Sequence, residues 1–296
     1  MAVRAGVGPR PAIGSPEIRV LTPDDLPRLR LVAGQRVDGA AVRRLLEAYP
    51  GRSVWIPDTL EFALLVPWRH RDEIALVQEL EAVANAEALL AAAVERCRAA
   101  GDALTLVIEM DELRRPHFYA RAGLQPIEEV VTYELDRPRV GALGRNRLTF
   151  ARVDAWDSAA MAAVRRLDHD AFPWLWRNSE EEFAAYVALP GVRLYLGRRD
   201  GLPVAYLGIT SYLGWGHLDR IAVDPTAQGR GYGRQALAFA VDTLVQAGAR
   251  RVALSTQRAN VRSQRLYESA GFRHSPSHDY RLFGATLRDV NEVEES

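Results

Sequence analysis

The stretch QGRGYG, residues 228–233, places three glycines at alternate positions directly before a run of apolar residues at helical spacing. Backbone N–H groups in the first turn of a helix have no partner within that helix, and the helix dipole is positive there. Glycine has no Cβ, so a bulky anion can approach such a backbone closely. Arg230 and Arg234 add positive charge. These features predict a pyrophosphate site, although the same glycines also suit a tight turn.

Two familiar phosphate-binding motifs do not fit this stretch. A Walker loop ends in Lys followed by Ser or Thr, and no such pair follows the last glycine here. A dinucleotide fingerprint needs other glycine spacing and an acidic residue at the end of the next strand. That strand instead ends in LSTQ, near residue 255.

The surrounding elements give the loop a fixed place. HLDRIAV predicts a strand that Asp224 and Pro225 end, and GRQALAFAVDTLVQAG predicts a helix with Gly248 at its end. RRVALST then predicts a buried strand, and ANVRSQRLYESAG predicts a helix that ends at Gly271. Upstream, two apolar runs around Asp200 predict a hairpin. Alternating strands and helices indicate an α/β or α+β fold around one sheet.

The composition excludes several classes of function. The chain has 296 residues, 48% of them hydrophobic, with 38 Lys plus Arg against 38 Asp plus Glu. This balance gives no electrostatic case for nucleic acid or an anionic membrane as partner. The single cysteine, Cys97, lies in an Ala-rich run and is expected in the core, and no Cys/His cluster has metal-ligand spacing. We therefore expect a cytoplasmic protein without a metal.

The two halves of the chain resemble each other. FYARAGL, residues 118–124, is similar to LYESAGF, residues 266–272, and RAAGDALTLVIE is similar to VQAGARRVALST. This similarity predicts a duplicated domain. The predicted boundaries are a flexible leader at 1–16, a first domain at 17–137, a linker at 138–146, a second domain at 147–285 and an acidic tail at 286–296.

The first copy lacks the glycines. An offset of 147 positions places Ala82, Ala84 and Ala86 opposite them, with Glu81 and Glu87 opposite the glutamine and second arginine of the loop. VQELEAVANAEALL predicts a continuous helix here. The methyl groups of these alanines would restrict the approach of a phosphate to the backbone, and the carboxylates would repel it. The first copy is therefore predicted not to bind a pyrophosphate. Its predicted role is to complete the core or to wall one side of a substrate cleft.

The constellation as a whole resembles the GNAT superfamily of acyl-CoA-dependent N-acetyltransferases. Its signatures are a strand ending in Val-x-Pro, a Gln/Arg-x-x-Gly-x-Gly/Ala loop, and an Asn-x-x-Ser-x-x-x-Tyr helix closing in Gly-Phe. The matching residues are Val223, Pro225, Gln228, Gly231, Gly233, Asn260, Ser263, Tyr267, Gly271 and Phe272. The resemblance is strong over residues 203–283 and weaker over 148–202. It implies two tandem GNAT-like domains, the first degenerate, each a mixed sheet with splayed central strands flanked by helices.

The resemblance implies acetyl-CoA as the acyl donor. Ser263 would contact the donor, and Asn260 would contact the donor or the substrate. Asn260 also suits a helix cap. Tyr267 would protonate the departing thiolate as general acid. The pantetheine arm would pair with the strand residues Ile221, Ala222 and Val223. The pyrophosphate would be held by the backbone of Gln228, Gly229, Arg230, Gly231, Tyr232, Gly233 and Arg234.

The acceptor amine must also lose a proton, and relatives often take it up with a carboxylate or histidine on the strand before the loop. Side chains of a strand alternate with period two, so His217 and Asp219 share one face. A histidine side chain ordinarily titrates at about pH 6.5, and this residue type therefore suits the role of base, for which His217 is the candidate. Asp219 would orient that histidine or bind the amine.

The acceptor side is less specified by the sequence. Phe172, Trp174 and Trp176 fall where relatives form the acceptor wall, so they either line the substrate or pack between helices. The predicted function is an acetyl-CoA-dependent N-acetyltransferase that acts on a primary amine of a small molecule or peptide by direct attack on the thioester. The alternatives are a non-catalytic acyl-CoA-binding sensor or scaffold, and an enzyme for a longer acyl group. No oligomeric state is predicted.

Overall fold

The structure, a computed structural model, describes residues 16–29, 39–110, 116–143 and 147–288. Most of the predicted leader and most of the acidic tail lie outside these ranges. The first half contains β1 Arg19–Val20, α1 Gly39–Ala48, β2 Val54–Ile56, β3 Glu61–Trp68, β4 Arg71–Glu81, α2 Ala86–Ala100, β5 Leu104–Glu109, α3 Pro116–Arg121 and β6 Gln125–Asp136. The second half contains β7 Thr149–Val153, α4 Ser158–Ala171, α5 Glu180–Ala188, β8 Val192–Arg199, β9 Leu202–Tyr212, β10 Trp215–Val223, α6 Tyr232–Gln246, β11 Arg251–Gln257, α7 Val261–Ser269, β12 Arg273–His274 and β13 Tyr280–Thr286.

Polar side chains and glycine set the ends of several of these elements. Asp157 caps α4 by accepting from Ala160 N at 3.0 Å, and the Ser179 hydroxyl caps α5. The β8–β9 hairpin turns at Asp200 and Gly201, both with positive φ.

One predicted element is wrong. VQELEAVANAEALL is not a continuous helix, because β4 extends through Glu81 and α2 begins only at Ala86. Pairing with β3 holds this strand to its end, where Glu81 lies opposite Phe62. Such pairing and the buried side chains at its centre outweigh the helix propensity of the Glu- and Ala-rich segment.

All the strands join one sheet, and the two halves exchange their final strands. The order is β1-β2-β3-β4-β5-β13-β6-β11-β10-β9-β8-β7, with β12 paired to β6. Strand β13 therefore lies between two strands of the first half, while β6 pairs with β11 of the second half. The sheet crosses the predicted linker, and the domain boundaries along the chain stay a prediction.

The central strands of each half diverge as expected. Strands β10 and β11 pair in parallel only from Trp215–Arg251 to Leu218–Leu254, although both continue beyond these residues. Strands β4 and β5 likewise pair only from Ile74–Leu104 to Val77–Val107. The mixed α/β architecture with splayed central strands is confirmed.

Helices cover both faces of the second half. Buried residues of α6 and α7 pack on one face of the sheet, and those of α4 and α5 pack on the other. Cys97 is buried in the core of the first half, as predicted. Over the described ranges, no helix combines the length and the apolar character needed to cross a membrane.

Candidate active site

The glycine-rich loop connects β10 to α6 beside the splayed strands. Gly229 and Gly231 have φ values of +82° and +81°, in the left-handed region that favours glycine. A Cβ built on either residue would meet no protein atom within 4 Å. The backbone conformation therefore favours glycine at both positions, and each faces open space.

The backbone N–H groups of this loop are available to a ligand. Gly231 is the N-cap of α6, and the first backbone bond of the helix joins Gln235 N to Gly231 O at 3.2 Å. Within the described residues, no protein acceptor receives the N–H groups of residues 229–234. Arg230 and Arg234 are exposed beside them. This arrangement of free donors, dipole and cations suits a phosphate anion.

Gln228 braces the loop instead of pointing outward. Its side-chain nitrogen donates to Val223 O at 3.1 Å, and its oxygen accepts from Arg262 Nη1 at 2.5 Å. The loop is therefore tied both to the end of β10 and to the first turn of α7. Arg262 is a site residue that the sequence analysis missed, because nothing in its spacing shows that it reaches another loop.

Asn260 and Ser263 form a helix cap. The Asn260 side-chain oxygen accepts from Ser263 N at 3.1 Å at the start of α7. This bond fixes the beginning of α7 next to the glycine-rich loop. Contact of either residue with a cofactor stays a prediction, as does strand-like pairing of a pantetheine arm with Ile221, Ala222 and Val223.

Tyr267 lies inside the core of the second half, with only 3% of its surface exposed. Its ring neighbours are Tyr133 and Phe272, with ring centroids at 6.1 and 6.2 Å. Burial raises the pKa of Tyr267 to about 12, opposed by a hydrogen bond with Ser263. The hydroxyl is therefore protonated at neutral pH, as a general acid must be.

His217 and Asp219 share one face of β10 and are hydrogen-bonded. His217 Nδ1 lies 2.7 Å from Asp219 Oδ1, and 44% of the histidine side chain is exposed. The Asp219 carboxylate accepts a hydrogen bond from the Nδ1–H group of His217, so Nε2 carries no proton in the neutral ring. An irregularity between Leu218 and Arg220 marks Asp219 as the bulged residue of the strand. The geometry makes His217 the available base and Asp219 its orienting partner.

Two hydroxyls that the sequence analysis missed hold Asp219 in place. Asp219 Oδ2 accepts from the hydroxyls of Tyr186 and Thr210 at 2.6 and 2.7 Å. Burial, with the charge of Asp219, raises the pKa of Tyr186 far above its usual range, so it remains a donor. A Cβ on Gly208 would lie 2.5 Å from the Tyr186 hydroxyl. Gly208 therefore leaves the room that Tyr186 occupies, a requirement visible only in three dimensions.

The corresponding loop of the first half is filled by its own carboxylate. Glu61 Oε1 accepts from Val83 N and Ala84 N at 2.6 and 2.7 Å, ahead of α2. Its other oxygen accepts from the Asn85 side chain and from Thr59. Burial alone would raise the pKa of Glu61, but these hydrogen bonds outweigh it and lower the pKa to about 2. An internal carboxylate therefore occupies N–H groups of the first half that correspond to those of the glycine-rich loop in the second half.

The predicted aromatic residues lie between the halves. Trp176 is buried, and its ring meets that of Trp68 edge to face at a centroid distance of 5.8 Å. Trp174 and Phe172 are partly buried, each beneath an arginine guanidinium. The segment joins the second half to the first, and a substrate-lining role for its three residues stays a prediction.

Comparison with known proteins places these observations in a family. Residues 161–272 match the model described as the Acetyltransferase (GNAT) family. This part of the chain belongs to the GNAT family. The match contains the predicted base, the glycine-rich loop and Tyr267. A search of curated proteins gave no match.

Solved structures extend the likeness of fold over both halves. A GCN5-related N-acetyltransferase from Sphaerobacter thermophilus is 17% identical, with a TM-score of 0.58, over 92% of this chain and 96% of its own. A tandem GNAT protein from the clavulanic acid biosynthesis pathway, solved without AcCoA, is 15% identical, with a TM-score of 0.57, over 93% and 99%. A GCN5-related N-acetyltransferase from Kribbella flavida is 13% identical, with a TM-score of 0.60, over 91% and 71%. The chain therefore has a tandem GNAT fold.

Proposed function

We propose that this protein is an acetyl-CoA-dependent N-acetyltransferase whose single donor site lies in the second half. The observation that carries the proposal is the set of N–H groups at residues 229–234, which have no acceptor in the part of the chain that the structure describes and lie beside exposed Arg230 and Arg234. These N–H groups would hold the pyrophosphate of acetyl-CoA, next to the opening between β10 and β11. The family match supports the same assignment.

Side chains of this protein can accept the proton that the acceptor amine loses and donate the proton that the departing thiolate needs. The donor supplies a thioester, whose carbonyl carbon the acceptor amine attacks. His217 Nε2 takes the proton that the amine loses as the C–N bond forms, and Asp219 holds the resulting imidazolium. As the C–S bond breaks, Tyr267 gives its proton to the thiolate and later regains one from water. Acetylated amine and CoA are the products.

The acceptor would be a primary amine of a small molecule or peptide. The exposed ring of His217 lies on the face of β10 that carries α5 rather than α6. The acceptor would therefore approach from the face opposite to the glycine-rich loop and α6. This separation lets the donor and acceptor enter the splayed region from different faces of the sheet.

A turnover screen tests this proposal. Release of free thiol from acetyl-CoA should depend on an added amine, within a panel of polyamines, aminoglycosides, amino acids and peptides. Propionyl-CoA and longer thioesters in the same assay would reveal a different acyl group. Thiol release that no amine accelerates, in a protein that still binds CoA, would contradict the enzymatic assignment.

A second candidate function is a non-catalytic module that binds acyl-CoA as a sensor or scaffold. The burial of Tyr267 among aromatic rings favours it, because a packed side chain can serve the core alone. The two candidates differ in turnover rather than in binding. The same screen, paired with calorimetry on CoA, therefore separates them.

A further inference from the structure

The turn between β3 and β4 in the first half contacts the segment that precedes and begins α5 in the second half. Trp68 Nε1 donates to Leu175 O at 2.8 Å, and Arg71 Nη1 donates to Trp174 O at 2.5 Å. Direct bonds therefore hold the two segments together at both ends of the turn.

The two residues at the tip of this turn adopt a backbone that favours glycine. Arg69 and His70 have φ values of +54° and +53°. A non-glycine residue in this region is strained by about 1 kcal/mol or more, and the surrounding contacts must compensate. Both side chains reach residues of the second half. His70 lies 2.8 Å from Glu182 at the surface, whereas Arg69 reaches inward.

Arg69 is held in an aromatic and polar setting. Its guanidinium lies 4.9 Å from the centroid of Trp68 and 5.4 Å from that of Trp176. Arg69 Nη1 donates to Asn178 Oδ1 at 2.6 Å. Burial, together with the nearby charge of Arg220, lowers the pKa of Arg69 to about 10, so the group remains charged at neutral pH.

A continuous chain of hydrogen bonds leads from Asn178 to the strand that carries the proposed base. Asn178 N donates to Asp168 Oδ2 at 2.9 Å, and Asp168 is 0% exposed. The other oxygen of Asp168 accepts from Nη2 of Arg220. Nε of the same guanidinium donates to the Tyr206 hydroxyl at 2.9 Å. Arg220 directly follows Asp219 at the bulge of β10.

We propose that Arg69 of the first half is a positioning residue for the acceptor side of the second half. It fixes Asn178 and, through Asp168 and Arg220, sets the bulge from which Asp219 orients His217. The first half thus contributes to the reaction without touching a substrate. This inference rests on the proposed function of the His217 and Asp219 pair.

Kinetics of the full chain test the inference. Arg69→Met keeps the apolar stem and removes the hydrogen bond, and we expect kcat to fall between about 10- and 100-fold with the KM for acetyl-CoA unchanged. Arg69→Lys keeps the charge and should recover part of the loss. The matched control is His70→Ala, on the same turn, which leaves the Asn178 chain intact and should retain the wild-type kcat.

Asn178→Ala removes the same bond from the other side and keeps the backbone N–H that Asp168 accepts. It should lower kcat as Arg69→Met does, and it decides the matter if the Met variant does not fold. Wild-type kcat in a folded Asn178→Ala or Arg69→Met protein would overturn the inference.

A readout without turnover separates this inference from the proposed function. The His217 ring resonances in heteronuclear NMR spectra should shift in Arg69→Met and remain unchanged in His70→Ala. A wild-type protein without turnover would refute the enzymatic proposal, while the His217 spectra would still decide whether Arg69 positions this site. Unchanged His217 resonances in both Arg69→Met and Asn178→Ala would refute the positioning role.

Discussion

At the scale of single residues, two side chains with opposite surroundings are proposed to move the two protons. His217 is half-exposed and bound through Nδ1 to a carboxylate, an arrangement that leaves its other nitrogen to accept a proton. Tyr267 is enclosed by the core, and burial raises its pKa to about 12. A proton donor with so high a pKa remains protonated throughout the neutral range, so its titration would not limit the rate there.

Replacement of Tyr267 by phenylalanine tests its proton transfer. We expect kcat to fall by about 10²- to 10⁴-fold while the affinity for CoA is retained, because the ring still fills the core. The control is Tyr133→Phe, which removes a neighbouring hydroxyl that donates to Glu268 at 3.1 Å. Equal rates in the two variants would remove Tyr267 from the mechanism.

Asp219→Asn tests the orientation of His217. An amide at this position presents an N–H to one of its partners and weakens the hold on the imidazole. We expect a loss of kcat of about 10²-fold or more with little effect on CoA binding. The control is Asp200→Asn, an exposed carboxylate of the β8–β9 turn, which should leave kcat unchanged. An Asp219→Asn enzyme with the wild-type rate would exclude the orienting role.

At the scale of elements, the two loops that precede α6 and α2 show how one helix start can be left open or filled. The glycine-rich loop presents its N–H groups to the outside, whereas Glu61 accepts those of Val83 and Ala84. The sequence predicts that the first loop does not bind the cofactor. It cannot identify Glu61 as the internal anion, because this residue lies on another strand.

Gly231→Ala should weaken CoA binding by about tenfold or more. Alanine is strained at this positive φ, and a shift of the backbone that relieves the strain would disturb the row of N–H donors. Gly201→Ala is a matched control: its φ is +83°, and its Cβ would also meet no atom within 4 Å. Both variants should lose a similar free energy of unfolding, about 1 kcal/mol. Calorimetry should detect weaker CoA binding only in Gly231→Ala, and equal CoA affinity in both variants would exclude a role for the loop.

Glu61→Gln should destabilise the protein by about 2–3 kcal/mol at pH 7. The folded-state pKa of Glu61 is about 2, below its unfolded value of about 4.5, so its carboxylate stabilises the fold above pH 4.5. That contribution decreases as the pH falls through the folded-state pKa. Urea unfolding should therefore show a difference between variant and wild type that shrinks from pH 5 toward pH 2. Glu87→Gln, an exposed ion-pair partner of Arg121, should show little difference at any pH.

The elements of the second half follow closely from its sequence. The hairpin at Asp200 and the strand before the glycine-rich loop lie where the residue pattern predicts them. These features depend on neighbours a few residues away. The misassigned end of β4 and the hydroxyls of Tyr186 and Thr210 depend on partners distant in the chain, which periodicity does not identify.

At the scale of the whole molecule, the exchanged strands make each half incomplete without the other. Strand β11 pairs with β6 of the first half, and β13 fills the space between β5 and β6. The repeat in the sequence predicts two copies of a domain but gives no sign that they trade their last strands. The turn at Arg69 adds a second link between the halves on the acceptor side.

Residues 147–288 expressed alone should therefore fail to form a stable domain. The truncation leaves the edge of β11 unpaired and removes the strands that flank β13. Co-expression with residues 16–143 should restore a protease-resistant complex with the circular dichroism of the full chain. Cooperative unfolding of the isolated second half, with CoA binding intact, would show that the exchanged strand is dispensable.

Titration calorimetry of the full chain with CoA and with pantetheine tests most directly whether the glycine-rich loop holds the pyrophosphate of CoA. Pantetheine carries the same arm and thiol but lacks the pyrophosphate and the adenosine 3'-phosphate. We expect one CoA site per chain and much weaker binding of pantetheine, because only CoA engages the N–H groups of residues 229–234. No heat with CoA, or equal affinity for CoA and pantetheine, would show that this loop does not bind the donor.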